Sequence, residues 1–595
     1  MTAHLLLVTL GPVQDFIAQA RRTRDLWYGS HMLSELGRAA ARALVGGDAQ
    51  LIFPALAKND PELAPCLAPL RPNGQPPQNI PNKLLAEVPS GTDPEALART
   101  VREAVMCFWR DDPAAPVKAK CAKLLTPNLT DDLWNEQIET LLEFTASWLP
   151  LGNYATTRRQ LEQAVAGRKL LRDFSAWRHQ RGNVPKSSLD GGRETVLAPP
   201  EQRRSELVHK YRITDGEQLD AVGLVKRAGG EPDQFVAVVN IALASWIACA
   251  DQCAKTELDA LREGCREIGL ARVSRRDLPC AVPFPFDASV FFPNRWKTLF
   301  EEQGLPGYPN VWGSQYVSPV LRKVGEPYPY VACLVADGDH MGRAISSLTS
   351  AADHRTFSCA LAGFAQQARQ IVEQQHRGVL VYAGGDDVLA FLPLPEALAC
   401  AEDLRNCFAT AMASACADII PCPTLSVGLG IGHLLESLGE LLALGRRAER
   451  LAKDIRNALA VIVEKRSGNT YAWRAGWDDG PASLLHKATE LLAQRLSSRK
   501  VYEIANLLER LPKPVQGTPD SWSGVLAAEV RRALARTEEG GLAPEDVGLQ
   551  LDHATDYPTL HACVREWVER LLVARTFARA LPRKQGRSKA NEVSA

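Results

Sequence analysis

The stretch Val379-Leu380-Val381-Tyr382-Ala383-Gly384-Gly385-Asp386-Asp387-Val388-Leu389-Ala390-Phe391-Leu392 decides how the chain is read. Two apolar arms, residues 379–382 and 388–392, flank a turn of two glycines and two aspartates. Glycine accepts positive φ at no steric cost, so this is a hairpin signature with two carboxylates at its tip. Gly384 and Gly385 also carry no side chain, which lets a bulky phosphate ester approach the backbone. The bland alternative is a solvated turn, since Gly and Asp are common turn residues. At usages of about 7% Gly and about 5% Asp, however, a chance Gly-Gly-Asp-Asp in a chain of this length has a probability of roughly one percent.

Upstream, Asp337-Gly338-Asp339 reads as a break after an apolar strand over 331–336. Extended backbone aims side chains two apart at one face, which puts Asp337 and Asp339 together. Three or four carboxylates converging at a sheet edge repel one another and are costly to bury without a cation. The candidate metal ligands are therefore Asp337, Asp339, Asp386 and Asp387, with Asp386 and Asp387 as the candidate catalytic pair. Oxygen donors, with His340 the only imidazole close by, favour Mg2+ or Mn2+ over zinc. Such ions activate an attacking hydroxyl and stabilise a leaving pyrophosphate. Gly338, Gly384 and Gly385 are candidate nucleotide contacts. Lys453 reads either as a solvated lysine or as a point charge for a triphosphate.

Working outward, residues 327–480 alternate strand and helix: helices over 341–376, the hairpin 379–392, a helix 395–417, a strand 424–431, a helix 438–453 and a strand 458–464. Residues 1–115 open in the same way, with a strand 5–10, a Gly11-Pro12 break, a helix 13–45, strands 51–53 and 83–88, and a helix 95–109. That order suits a ferredoxin-like sheet covered by helices on one face. Residues 116–326 are mainly helical. Residues 481–595 suggest a C-terminal helical bundle with a basic tail over 583–589. The expected class is α/β plus α, with two palm-like domains facing each other.

Length and composition bound the function. A chain of 595 residues exceeds one core and predicts three to four domains. Lys plus Arg equals Asp plus Glu, 69 against 69, which excludes an overall basic nucleic-acid binder and leaves RNA contact local or shared. The apolar start lacks a basic leader, and the apolar window 235–250 is interrupted by Asn240 and too short for a membrane span. A cytoplasmic protein is expected. Fourteen cysteines include no CxxC pair, Cys249 and Cys253 being the closest, so buried thiols in a reducing compartment are expected and zinc is not.

The opening Leu10-Gly11-Pro12-Val13-Gln14-Asp15-Phe16-Ile17, with Ala20-Arg21 and Asp25-Leu26-Trp27-Tyr28-Gly29-Ser30, resembles the large subunit of type III-B CRISPR effector complexes. So do Ile80-Pro81-Asn82-Lys83, Pro185-Lys186-Ser187-Ser188-Leu189-Asp190-Gly191 and Asp337-Gly338-Asp339-His340-Met341-Gly342. The palms are also similar to those of GGDEF diguanylate cyclases and class III adenylate cyclases. The resemblance implies two cyclase-like palms that bind ATP between them and make cyclic oligoadenylate when the complex captures target RNA. It implies partner subunits, a guide CRISPR RNA and a target RNA met through the complex. Carried over, Asp337 and Asp386 or Asp387 would hold metals, Gly384 and Gly385 would admit the nucleotide, and Lys453 would contact phosphate. Many relatives begin with an HD nuclease domain; here the chain opens on the first palm and has no His-Asp dipeptide, so DNA cleavage is not expected. Serines and an aspartate stand in 185–191 where relatives often carry zinc-binding thiols. Two rival readings are a palm that attaches AMP to another small molecule and an architectural subunit with a degenerate palm.

Overall fold

The computed structural model describes residues 2–67, 71, 77–171, 177–230, 235–273, 284–416, 422–515, 518–536, 541–551 and 556–581. The basic tail at 583–589 lies outside them. The opening apolar run forms β1 (His4–Gly11), and it is joined by β2 (Gln50–Phe53), β3 (Lys83–Val88) and β4 (Glu143–Pro150) in the antiparallel order β2-β3-β1-β4. Two helices, α1 (Thr23–Gly46) and α2 (Pro94–Trp109), connect the strands on one face. This is the strand order of a ferredoxin-like βαββαβ unit.

Three expectations change here. The first sheet does not close by residue 115, because β4 is contributed from beyond it. That strand, Glu-Phe-Thr-Ala-Ser-Trp-Leu-Pro, is a half-exposed edge with no strong apolar alternation to announce it. Helices cover both faces of the sheet, not one. Leu6, Val8 and Leu10 pack toward α1 and α2, whereas Leu5 and Leu7 pack under Leu161 and Val165 of α3 (Tyr154–Leu170). The helix read over 13–45 is two, Gln14–Ala18 and α1. The carboxylate of Asp25 accepts from the backbone N–H groups of Arg21 and Arg22, both at 3.1 Å, and so fixes the start of α1.

The second sheet repeats the unit. β5 (Tyr330–Asp339), β6 (Val379–Gly384), β7 (Asp387–Leu392) and β8 (Thr424–His433) take the order β8-β5-β7-β6, the same arrangement as the first sheet. β9 (Ala458–Glu464) adds in parallel to β8, and β10 (Thr470–Gly476), which the sequence reading omitted, completes six strands. α4 (Ala351–Gln370) and the helix Leu394–Ala415 pack on one face. α5 (Leu438–Lys453) lies on the other.

That second face is turned toward the first palm. Val331, Cys333, Val381 and Phe391 share a core with β1 and α1. The palms are also tied at their edges: the Ala55 N–H donates to Ser358 Oγ at 3.0 Å, and Tyr154 Oη lies 2.7 Å from His354 Nδ1. The apolar window 235–250 is two short helices, Val238–Ala242 and Ala244–Cys253, with Asn240 buried and donating to the carbonyls of Phe284 and Phe286. Among the described residues no helix is long and apolar enough to cross a membrane. The C-terminal segment is helical, ending on α6 (Tyr557–Ala580), which packs against β9 and β10.

Candidate metal and nucleotide site

The hairpin closes as the sequence predicts. Gly384 pairs with Asp387, so Gly385 and Asp386 form a two-residue loop, and Gly385 sits at φ +87°. A one-residue bulge at Val381 shifts the register between Leu380 and Tyr382. On the other side of β7 the antiparallel register with β5 runs to Ala336 opposite Val388. One step further puts Asp337 opposite Asp387.

Asp337 and Asp339 are not in a break. β5 continues through them, with Asp337 opposite Ser426 and Asp339 opposite Thr424 on β8. The glycine of Asp-Gly-Asp disguised this continuation as a turn. Ligand atoms of Asp337, Asp386 and Asp387 lie within 4.8 Å of one another. Gly338 makes that approach possible, since a Cβ there would stand 2.8 Å from Asp386 Cβ. Gly338 thus packs under Asp386. Gly384 likewise makes room for the Tyr382 ring, whose hydroxyl would overlap any Cβ at that position. Gly385 alone of the three faces open space.

Asp339 is separated from this group by its own partners. Its carboxylate accepts from Thr424 Oγ1 at 2.8 Å, Ser426 Oγ at 2.9 Å and the Asn457 N–H at 2.9 Å. Buried and saturated in this way, it anchors β5 to β8 and to the loop before β9, outside the three-carboxylate group. Lys453 reaches the carboxylates directly. Its ammonium pairs with Asp337, lies 3.1 Å from Asp339 Oδ1 and donates to the Gly338 carbonyl at 2.9 Å. α5 brings it there because Gly428, Gly430 and Gly432 of β8 let the helix lie against the strand; a Cβ at Gly430 would be 2.4 Å from the Gly445 nitrogen.

The electrostatics are those of crowded like charges. Burial, with the Asp337 charge behind it, pushes Asp386 up to about 6. Burial, a hydrogen bond shared with Asp337 and the Asp386 charge push Asp387 up to about 9. Burial and then Asp337 raise Glu449, one turn before Lys453 on α5. Burial pulls Lys453 down, but Asp337 and Asp339 outweigh it and its pKa is raised. Asp386 and Asp387, whose protons are held this firmly, stand with Asp337 as a group that offers only oxygen donors and suits a hard divalent cation such as magnesium or manganese. Sequence reasoning missed Glu449, Ser426, Thr424 and Tyr382; the hydroxyls at alternate positions of β8, facing Asp337 and Asp339 in register, were the available signal.

The Pro185–Gly191 block closes without thiols. The Ser187 N–H donates to the Arg193 carbonyl at 2.8 Å, Ser187 Oγ donates to Asp220 at 3.1 Å, and Arg193 pairs with Asp190 at 2.8 Å. Cys249 and Cys253 bring their sulfurs to 3.9 Å on one helix face.

Comparison with known proteins agrees with this architecture. Residues 330–460 match the profile of the Cas10/Cmr2 second palm domain, and residues 5–112 match that of the N-terminal region of CRISPR-associated protein Cmr2. The CRISPR system Cmr subunit Cmr2 of Pyrococcus furiosus is 24% identical over 561 aligned residues, which cover 80% of this chain. The chain spans 63% of the length of that relative. The cryo-EM structure of type III-B Cmr-beta in the apo state superposes with a TM-score of 0.60 at 15% identity, covering 97% of this chain and 82% of the other. The same assembly bound to cognate target RNA gives 0.60 and 15%, covering 97% and 83%. At that identity these two likenesses speak for the fold. Two ferredoxin-like sheets in matching strand order, a Gly-Gly-Asp-Asp hairpin on the second and both family profiles in place make this chain similar to the Cas10/Cmr2 family.

Proposed function

We propose that this chain is a nucleotidyl cyclase that converts ATP to cyclic oligoadenylate within a type III-B CRISPR complex. The observation that carries the reading is the convergence of Asp337, Asp386 and Asp387 on the face of one palm turned toward the other. Magnesium or manganese held by these three carboxylates would supply charge stabilisation at the phosphoryl oxygens and lower the pKa of the attacking hydroxyl. Gly385 leaves the space over the turn open for a phosphate. Asp339 fixes β5 and thereby the position of Asp337. Lys453, held between two carboxylates, is placed to exchange one of them for a triphosphate oxygen.

In the reaction the 3′-oxygen of one ATP attacks the α-phosphorus of a second. A phosphodiester bond forms, the bond from the α-phosphorus to the bridging oxygen breaks, pyrophosphate departs and the hydroxyl proton is lost to solvent. Repeated joining and closure yield the ring. The palm-to-palm contacts set the distance between the two nucleotides, and other subunits of the complex, carrying guide CRISPR RNA and capturing target RNA, control it. The deciding experiment incubates the assembled complex with ATP, magnesium and guide-matched RNA and identifies products by mass. Cyclic adenylate species are expected. A product of AMP joined to a different acceptor, or ATP returned unchanged, overturns the reading.

A further inference from the structure

A second charged site lies on the far side of the same sheet from the hairpin edge, where the β9–β10 turn meets the end of α6. The turn supplies Lys465 and Arg466, and α6 supplies Arg575 and Arg579. Tyrosines bind Lys465, Arg575 and Arg579 into one surface. Lys465 Nζ stands 4.9 Å over the Tyr471 ring, Tyr471 Oη lies 2.9 Å from Tyr502 Oη, and Arg575 donates to that same Tyr502 oxygen at 2.8 Å while its guanidinium covers the ring. Arg579 hydrogen-bonds the Tyr328 hydroxyl.

Charge is what sets this cluster apart. Among the described residues none of the four cations forms an ion pair with a carboxylate, whereas Arg570 on the same helix pairs with Glu566. Glu464, the nearest acid in sequence to Lys465, is engaged by Arg447 at 2.9 Å. Arg575 Nε is buried and has no hydrogen-bond partner. Holding uncompensated cations together is unfavourable unless an anion joins them. Burial and the charges of Arg575 and Arg579 lower the Lys465 pKa to about 8, in keeping with that crowding.

We propose that Lys465, Arg466, Arg575 and Arg579 form a binding patch for linked phosphate groups. Planar guanidinium forks match phosphate oxygens, and the tyrosine hydroxyls add neutral donors. Arg575 and Arg579 are one helical turn apart, about 6 Å along α6, more than a single phosphate spans. The tyrosine faces are occupied by cations, so the patch recognises phosphate and not a stacked base. Linked phosphates of this kind come either from a nucleotide triphosphate or from an RNA backbone.

The test uses the full chain in EDTA, so that the aspartate cluster captures no metal-bound phosphate. Affinity is measured for sodium tripolyphosphate and, separately, for a labelled oligo(U) RNA, with the parent and the double variants Arg575→Gln/Arg579→Gln and Lys465→Gln/Arg466→Gln. The second variant changes only the turn and keeps the test alive should the first not fold. Loss of about tenfold or more in either ligand supports the patch and identifies the source. With RNA, loss of two cations should also flatten the logarithmic salt dependence by about 1.4. Unchanged affinity for both ligands in both variants overturns the proposal.

Discussion

Asn79 donates its side-chain amide to the backbone carbonyl of Ala383 at 3.0 Å, one residue before the Gly-Gly turn. The donor belongs to the connection between β2 and β3 of the first palm and the acceptor to β6 of the second. The bond therefore clamps the Gly-Gly-Asp-Asp hairpin to the neighbouring palm. Asn79→Ala removes about 1 kcal/mol of net stabilisation, too little to unfold either domain. A misplacement of about 1 Å between reacting atoms can cost roughly a hundredfold in rate. Nucleotide joining should fall by about tenfold or more while the melting temperature changes little. Unchanged turnover would show that the hairpin needs no support from the first palm.

Replacing Asp386 and Asp387 together with Asn should abolish nucleotide joining and leave assembly intact, because the turn is built by Gly385 and the flanking strands. The same variant should melt higher than the parent in EDTA, since it relieves repulsion among Asp337, Asp386 and Asp387. A gain of about 1 kcal/mol corresponds to roughly 2–4 °C for a domain of this size. Lower stability together with lost activity would point to a structural role.

The aspartates also set a pH dependence. Asp386 at about 6 and Asp387 at about 9 stand above the ordinary 3.8, so the metal-free fold favours their protonated forms. Their contribution to stability is complete below about pH 4 and is lost as pH rises through about 6 and then toward 9. Thermal melts in EDTA should fall over that range, and magnesium or manganese should restore the loss most strongly at the alkaline end. A profile that is the same with and without metal would remove these residues as ligands.

Lys453→Met strips Asp337 and Asp339 of the cation between them. The expected outcome is lower metal-free stability together with a raised KM for ATP, with Lys453→Arg intermediate in both. Stability lost with KM unchanged would confine the lysine to holding the strands.

Gly428→Ala and Gly430→Ala test how α5 is seated. The added Cβ atoms would stand 2.0 Å from the Glu449 nitrogen and 2.4 Å from the Gly445 nitrogen, contacts with backbone that no side-chain rotation relieves. Each should cost about 1–3 kcal/mol or more and displace Lys453 from Asp337. Circular dichroism melts and ATP turnover read the two effects separately.

The hairpin and the order of the second palm were legible because their strands are buried runs bounded by a turn with distinctive residues. Asp337, Asp386 and Asp387 converge as the sequence predicts, for the register that aligns Asp337 with Asp387 follows from strand pairing alone. Asp339 was read as a ligand from alternation, which places it on the right face but says nothing of Thr424, Ser426 and Asn457, which reach it from distant segments. Gly338 and Gly384 were read as nucleotide contacts, and the pattern did not show that Asp386 and Tyr382 pack where their side chains would be. β4 and β10 escaped because half-exposed edge strands carry a weak apolar pattern. Lys453 was found by position, yet its contact with two carboxylates depends on the glycine-lined seat of α5, a packing detail that spans two elements.

The late arrival of β4 has a consequence for the growing chain. β1 is apolar on both faces and needs a neighbour on each side, but its partner from Glu143 to Pro150 is made only after α1, β2, β3 and α2. At synthesis rates of about 5–20 residues per second, the nascent protein carries an open hydrophobic ladder for on the order of ten seconds. Unpaired N–H and C=O groups along such a strand recruit other chains. Chaperone shielding during translation is therefore most needed before residue 150 emerges, and a fragment cut at residue 115 would keep that adhesive edge permanently.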